Sequence, residues 1–333
     1  MNILVRLHSK LGSTIMSFAF LDLLHEQYPH AVIDVVMQKP IAELHEYKHY
    51  INTCYAFSKK EYKGVRGLYR FGRMIRIKRK YDLYIALPLS FSSALMGLFS
   101  GCTARIGFKS EFRSFLLTHS YKMPAGLHAV KQFEYLLSSY MRKNLKIGPV
   151  KMLVPETNTP ALPDGKNLLI NVNSGSQTRR LPVNKAISLI DEILEEYEFN
   201  IILIGGPGEM DFVKHIENGL KEKSRVINFT GKTDLHELAG LMKRSDLMIS
   251  TDSGNAHMAN AVGLKVVVIW GGCGVEGETR PYNRKGIIIL KEDLPCAPCW
   301  PSENCKFGDP LCLLKLENQQ VFNALDELMS HND

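Results

Sequence analysis

Three short runs in the second half of this 333-residue chain carry side chains suited to a phosphorylated ligand. The first is Asp252-Ser253-Gly254, set between an apolar run, Leu247 to Ser250, and an Ala-rich segment, Asn255 to Val262. That pattern is a buried strand passing into a helix. A helix N-terminus after a parallel strand presents backbone N–H groups backed by the positive end of the dipole, which suits a diphosphate, and Ser253 and Gly254 let an anion come close. A carboxylate repels phosphate, so Asp252 fits there as a grip on sugar hydroxyls joined to that phosphate; the alternative is a simple helix cap. The second run, Asn173 to Arg180, offers Ser174, Gly175 and Ser176 as small hydroxyl and amide donors, with Arg179 and Arg180 as guanidinium groups. Arginine binds phosphate through bidentate, charge-assisted bonds. With the Asp252 loop it would hold a nucleotide diphosphate without a metal, and Arg179 would neutralise leaving-group charge. The third run, Gly205-Gly206-Pro207-Gly208-Glu209, lacks the Gly-x-Gly-x-x-Gly spacing of nicotinamide enzymes. Glu209 could still accept two ribose hydroxyls at once.

In the first half the conspicuous stretch is Lys59 to Lys80, with ten basic residues opposed by Glu61 alone. Val65, Leu68, Gly72 and Ile75 fall on one helical face and Arg66, Arg70 and Arg73 on another. The stripe is either a solvated face or a contact for an anionic acceptor or acidic membrane surface. Late in the chain Cys296-x-x-Cys299 has zinc-ligand spacing, while Cys305 and Cys312 form no second tight knuckle. A cysteine-lined loop is the main expectation and a structural zinc the alternative.

These residues need elements to hold them. Strand Asn2 to Leu7, helix Thr14 to Tyr28 and strand Ala31 to Met37 make a βαβ unit, hence a parallel sheet. The turn His8 to Ser13 lies at the carboxyl end of the first strand, where open α/β sheets place ligands. The alternation continues through Tyr81 to Leu87, Phe91 to Phe99, Ala104 to Phe108 and a helix at His128 to Met141. The Pro-rich stretch before Lys166 reads as a linker, giving domains 1–150 and 167–333 joined by 151–166. The second half restarts with strand Asn167 to Val172, helix Asn184 to Tyr197, strand Asn200 to Ile204, strand Val226 to Phe229 and helix Asp234 to Lys243. It continues to the Asp252 turn and a strand at Lys265 to Trp270. The fold class is α/β: two Rossmann-like α/β/α domains facing one another across a cleft.

Charge divides with the domains. Residues 1–150 hold 22 Lys and Arg against 9 Asp and Glu, a net charge of +13, and the remainder holds 19 against 25, a net charge of −6. The first half should prefer an anionic partner. A strand beginning at once with Met1-Asn2-Ile3-Leu4-Val5 argues against secretion, and seven cysteines, an odd number, fit a reducing cytosol. The uncharged stretch Leu83 to Ala104 contains Pro88, Gly97, Gly101 and serines, so it reads as a buried strand and helix rather than a membrane span.

Taken together these positions resemble glycosyltransferase family 9, which includes the bacterial heptosyltransferases of the lipopolysaccharide inner core. The resemblance rests on Ile3-Leu4-Val5-Arg6 with Leu11-Gly12, on Arg105-Ile106-Gly107-Phe108 and on Gly175 to Pro182. It continues through Gly205 to Glu209, Thr230-Gly231-Lys232 with Leu235 and Leu238, and Asp252-Ser253-Gly254-x-x-His257. It implies a GT-B architecture, an acceptor in the N-terminal domain near Gly12, an ADP-heptose donor in the C-terminal domain, and inversion at the anomeric carbon. It also implies that Arg179 stands for the family's phosphate-binding basic residue, that Glu209 binds ribose, that Asp252 with the amides near Gly254 holds sugar and diphosphate, and that His257 matches a family histidine. The family usually has Gly-Asp where this chain has Gly12-Ser13, and that Asp is the expected general base. A serine hydroxyl cannot take the proton. His8, with an ordinary imidazole pKa near roughly 6.5, is the substitute base if the enzyme is active. The reading is therefore a cytoplasmic transferase, peripheral to the inner membrane face, moving a sugar from an ADP-sugar to an anionic glycolipid with no cofactor. A catalytically silent nucleotide-sugar or glycolipid binder is the alternative and a dehydrogenase a distant third; nucleic acid is not an expected partner.

Overall fold

The structure, a computed structural model, describes residues 1–110, 112–155, 160–299 and 305–330. The chain separates into two compact units, Met1–Met152 and Leu153–Asp333. Residues 156–159 of the expected linker lie outside the described residues.

Short apolar runs in the first unit become parallel strands because helical crossovers cover both faces of the sheet. In order these are β1 (Asn2–Arg6), α1 (Leu11–Gln27), β2 (Val32–Gln38), β3 (Ile51–Phe57), α2 (Gly64–Lys78), β4 (Leu83–Ala86), α3 (Phe91–Phe99), β5 (Ala104–Phe108), β6 (His119–Tyr121) and α4 (Ala129–Met141). The strand order is β3-β2-β1-β4-β5-β6. Helix α1 starts at Leu11, earlier than the sequence suggests, so Gly12 and Ser13 lie in its first turn and not in the preceding loop. Burial in α1 also exceeds one face: Met16, Ala19, Phe20 and Leu23 are covered as well as Phe18, Leu21 and Leu24. The reason is packing on a second side, where Phe20 meets Phe133 of α4 edge-on at 6.2 Å. The uncharged stretch resolves into β4 and α3, and among the described residues no helix is long and apolar enough to cross a membrane.

The second unit repeats the plan with β7 (Lys166–Asn171), α5 (Val183–Glu196), β8 (Phe199–Leu203), α6 (Met210–Gly219), β9 (Val226–Asn228), α7 (Leu235–Arg244), β10 (Leu247–Thr251), α8 (Gly254–Val262), β11 (Lys265–Trp270), α9 (Glu276–Thr279), β12 (Ile287–Lys291), α10 (Leu311–Leu314) and α11 (Asn318–Ser330). Its order, β12-β11-β10-β7-β8-β9, is the same doubly wound arrangement. In each sheet the first strand is central and the connections reverse direction beside it. The crevice between β7 and β10, and its counterpart between β1 and β4, are therefore the places where loops part and a ligand can enter.

Candidate active site

At the β7/β10 switch point, Asn171 closes an apolar strand with a fully buried amide. Its Nδ2 lies 2.9 Å from Ser253 Oγ, 3.1 Å from Ser250 Oγ and 3.3 Å from the Asn173 carbonyl, and its Oδ1 accepts from Asn255 Nδ2 at 3.0 Å. Thr251 Oγ1 donates to the Asn173 carbonyl at 2.8 Å. One buried side chain thus fixes the loop after β7 to the turn that starts α8. Asn173 extends the network by donating to the Ile204 carbonyl at 3.0 Å. Gly205 is obligatory here, because a Cβ would stand 2.3 Å from Asn173 Nδ2 and 3.1 Å from Glu209 Oε2. The Gly205 carbonyl accepts from the Gly231 amide at 2.9 Å, so the loop after β9 joins as well.

The charged residues sit on this frame. Arg179 Nη1 donates to Asp252 Oδ2 at 3.0 Å, with the two side chains 27% and 9% exposed, so the pair is shielded on the acid's side and open on the arginine's. The cap position of α8 is Ser253, whose hydroxyl is taken by Asn171 and Ser250 and makes no bond to the helix amides. Asp252 belongs to an ion pair beside an N-terminus that Ser253 does not cap. His257, one turn into α8, is buried. Ser174 is buried and accepts the Ser176 amide, Ser176 Oγ meets Thr178 Oγ1 at 2.8 Å, and Gly175 is exposed with open space where a Cβ would be. Arg180 differs from its neighbour. Its guanidinium lies 4.5 Å over the Phe212 ring and donates to the Ser174 carbonyl at 3.0 Å, so it braces the loop. Glu209 accepts the Gly206 amide at 2.8 Å, holding its carboxylate at the rim of the β8 loop.

The β1/β4 switch point is built differently. His8 follows β1, its carbonyl accepts from Thr14 Oγ1 at 3.0 Å, and its ring lies 5.6 Å from Phe133. Its Nε2 is buried without a hydrogen-bond partner. Burial, with the cations Arg6 and Arg113 adding to it, pushes the imidazole down to about 4, which corrects the expectation of an ordinary value near 6.5. Ser13 sits in the first turn of α1, its carbonyl accepting from Ser17 Oγ at 2.8 Å, and α1 also begins without a side-chain cap. Arg113, wholly buried, holds the loop after β4 by donating to the Pro88 carbonyl and to the Ser90 carbonyl at 3.2 Å, and ties it to the end of β5 through the Phe108 carbonyl at 2.9 Å.

The sequence model of glycosyltransferase family 9 (heptosyltransferase) matches residues 68–308. The chain belongs to glycosyltransferase family 9. It is similar to lipooligosaccharide heptosyltransferase 2 of Haemophilus ducreyi, at 27% identity over 99% of this chain and 100% of that protein. Among solved structures it is similar to the Escherichia coli ADP-heptose lipopolysaccharide heptosyltransferase II, with a TM-score of 0.84 and 22% identity over 98% of each chain. It is also similar to the E. coli heptosyltransferase WaaC with ADP, with a TM-score of 0.78 and 15% identity over 98% of this chain and 100% of that one. Its two doubly wound units are those of the GT-B fold.

In this family-9 glycosyltransferase the expected donor-side residues Ser174, Gly175, Ser176, Arg179, Asp252, Ser253, Gly254 and His257 collect at the carboxyl ends of β7 and β10, with Glu209 after β8. Sequence reasoning passed over Asn171, Ser250, Thr251 and Arg113. The signal for Asn171 is a lone amide at the last position of an apolar strand, whereas Arg113 has no local signature. On α2 the arginines Arg66, Arg70 and Arg73 are exposed, but the buried face is Gly67, Leu68, Phe71, Gly72 and Ile75, and Val65 is 61% exposed. The expected face is thus rotated, because Phe71 fills the core between β3 and α3. All seven cysteines are free thiols. Gly272 donates its amide to Cys312 Sγ at 3.2 Å, and a Cβ on Gly272 would stand 3.8 Å from both Cys299 Sγ and Cys312 Sγ. Cys273, beside them, went unnoticed in the sequence. Among the described residues no three His, Cys, Asp or Glu side chains are arranged to hold a metal.

Proposed function

We propose that this glycosyltransferase moves a heptose from ADP-heptose to an anionic acceptor of the lipopolysaccharide core, working in the cytoplasm against the inner membrane face. The observation that carries the reading is the shielded Arg179–Asp252 pair beside the N-terminus of α8. A diphosphate entering there competes with Asp252 for the Arg179 guanidinium and gains the first-turn amides of α8. Asp252, freed from that bond, accepts hydroxyl protons of the sugar. Glu209 takes the ribose, and Ser174, Gly175 and Ser176 line the phosphate side. Related E. coli WaaC was solved with ADP, which supports the nucleotide. The +13 charge of residues 1–150 supports an anionic acceptor bound near Gly12 and met by Arg66, Arg70 and Arg73.

In the transfer step an acceptor hydroxyl oxygen bonds to the anomeric carbon on the face opposite the phosphate. The bond from that carbon to the β-phosphate oxygen breaks, its electron pair leaves with ADP, and Arg179 and α8 stabilise the charge. The proton goes to His8. An imidazole lowered to about 4 is as basic as an ordinary aspartate, near roughly 3.9, and so matches the residue it replaces. Ser13 positions the acceptor by hydrogen bonding. The buried, unbonded Nε2 of His8 favours a second reading, a silent ADP-sugar binder, because no proton acceptor is then exposed to substrate.

ADP release from ADP-heptose, measured with and without a core acceptor, separates the two. Acceptor-dependent release that His8→Ala abolishes, with ADP binding intact, supports the transferase. A silent wild type alongside an active Ser13→Asp variant supports the binder.

A further inference from the structure

Helices α2 and α3 and the single 3₁₀ turn Arg113–Leu116 cover the same face of the first sheet, sharing one core through Leu68, Phe71, Leu95 and Leu116. Ring contacts tie their outer sides together. Tyr69 of α2 stands edge-on to Phe99 of α3 at 5.4 Å, and Phe91 of α3 lies 6.1 Å from Phe115 of the turn. Outside this layer the apolar side chains are uncovered: Val65 at 61%, Tyr69 at 50%, Ile77 at 73%, Phe115 at 73% and Phe112 at 95% exposure. Phe112 also has a φ of 54°, a left-handed backbone that bulky residues rarely adopt, so its ring is held outward against a local conformational cost. Scattered exposed apolar residues are ordinary, but five of them on neighbouring elements of one layer are not.

The charge on this layer is one-sided. From Tyr62 to Leu116 the chain has eleven basic residues against two acids, Asp82 and Glu111. Asp82 is exposed but already engaged at the amino end of the central strands, accepting the Asn2 amide at 2.7 Å. Arg66, Arg70, Arg73 and Arg76 are exposed and make no ion pair among the described residues. Arg76 lies across Gly101, where a Cβ would come within 2.9 Å of its Cδ, so it bridges α2 and the end of α3.

We propose that this layer is a docking surface for an anionic phospholipid bilayer, with Phe112, Phe115, Tyr69 and Ile77 entering the headgroup region and the α2 arginines pairing with lipid phosphates. Exposed aromatic and aliphatic side chains among unopposed cations match such a surface on both counts. A purely polyanionic partner would leave Ile77 and Phe112 in water. The choice of a bilayer rests on the glycolipid-acceptor reading above, and the residues are distinct from the nucleotide-binding frame.

The test uses the full-length protein and vesicles containing no glycolipid, so it stands or falls apart from transfer activity. Cosedimentation should be at least roughly tenfold stronger with phosphatidylcholine–phosphatidylglycerol vesicles than with phosphatidylcholine alone. Replacing Arg66, Arg70 and Arg73 with Gln should weaken it by roughly 100-fold at low salt, at about fivefold per cation, and less as salt rises. Phe112→Ser with Phe115→Ser should weaken it roughly tenfold at every salt concentration. Phe112→Trp supplies a gain of signal that misfolding cannot imitate, with blue-shifted emission only on anionic vesicles. Equal binding to neutral and anionic vesicles, or no effect of either set of substitutions, overturns the proposal. A dimer that the Phe→Ser pair dissociates, with no vesicle binding, would give the surface to a second copy of the chain and overturn it too. A Phe112→Ser, Phe115→Ser variant, with the arginines intact, that still transfers heptose to a soluble acceptor but has lost vesicle binding would support the surface and leave the transferase reading untouched.

Discussion

The two switch points of this glycosyltransferase share a strand order and differ in how their polar groups are arranged. Beside β7 and β10 a buried amide binds the Ser250 and Ser253 hydroxyls, Thr251 holds the Asn173 carbonyl, and Arg179 and Asp252 form an ion pair close by. Beside β1 and β4 the wall is cationic and partly dehydrated, with Arg113 anchored to carbonyls and His8 held neutral. The difference matches their assigned tasks. A diphosphate always presents the same set of charged acceptor oxygens, so preorganised donors recognise it at little further ordering cost. The proposed anionic acceptor would be met first by charge.

Breaking the donor frame should have the largest consequence. Asp252→Ala removes the partner of Arg179 and the proposed sugar contact, and should lower kcat/KM for ADP-heptose by about 10²–10³-fold in steady-state assays while the fold persists. Gly205→Ala comes next. Its Cβ must displace Asn173 from the Ile204 carbonyl, so we expect about 1–3 kcal/mol lost in urea unfolding together with weaker ADP binding, whereas Gly175→Ala, with open space around it, should change stability by less than about 0.5 kcal/mol. Asn171→Ala leaves Ser253 and Asn255 without their shared partner, and about 1–2 kcal/mol should appear as a higher KM for donor with kcat less affected.

The acceptor side should show smaller and pH-dependent effects. The folded-state pKa of His8 is depressed from 6.5 to about 4. Between those values the unfolded chain binds a proton that the folded chain refuses, so the stability His8 contributes is full above pH 6.5 and lost as pH falls toward 4. His8→Gln should flatten that part of the stability–pH curve measured by denaturant unfolding. If His8 is the base, kcat/KM in wild type should likewise show no ionisation near 6.5, with its acidic limb near 4. A limb at 6.5 would mean that the imidazole is solvated during turnover.

Most of the donor frame was readable from residue types because its parts are local: a strand, a turn and a helix start within a dozen residues at Asp252, and a compact loop at Asn173 to Arg180. What was hidden depended on distant neighbours. Asn171 becomes a hub only when β10 is laid beside β7, and Arg113 becomes structural only when β5 and the loop after β4 meet it. The rotated face of α2 has the same origin, since Phe71 is drawn inward by Phe57 and Tyr62, a tertiary preference that periodicity alone does not contain. Strand β3 escaped notice because its polar residues Asn52 and Thr53 interrupt the apolar pattern at a sheet edge. The pKa of His8 was unreadable for a similar reason, because burial and two arginines from other parts of the chain set it.

The most direct test of the division of labour is hydrogen exchange, read by mass spectrometry, with and without saturating ADP. ADP should slow exchange at the loop 173–180, at 205–209 and in the first turn of α8, where Ser253 leaves the amides uncapped, and should leave 8–14 unchanged. Protection confined to residues 8–14, with none in the three donor segments, would contradict the assignment of nucleotide to the second unit.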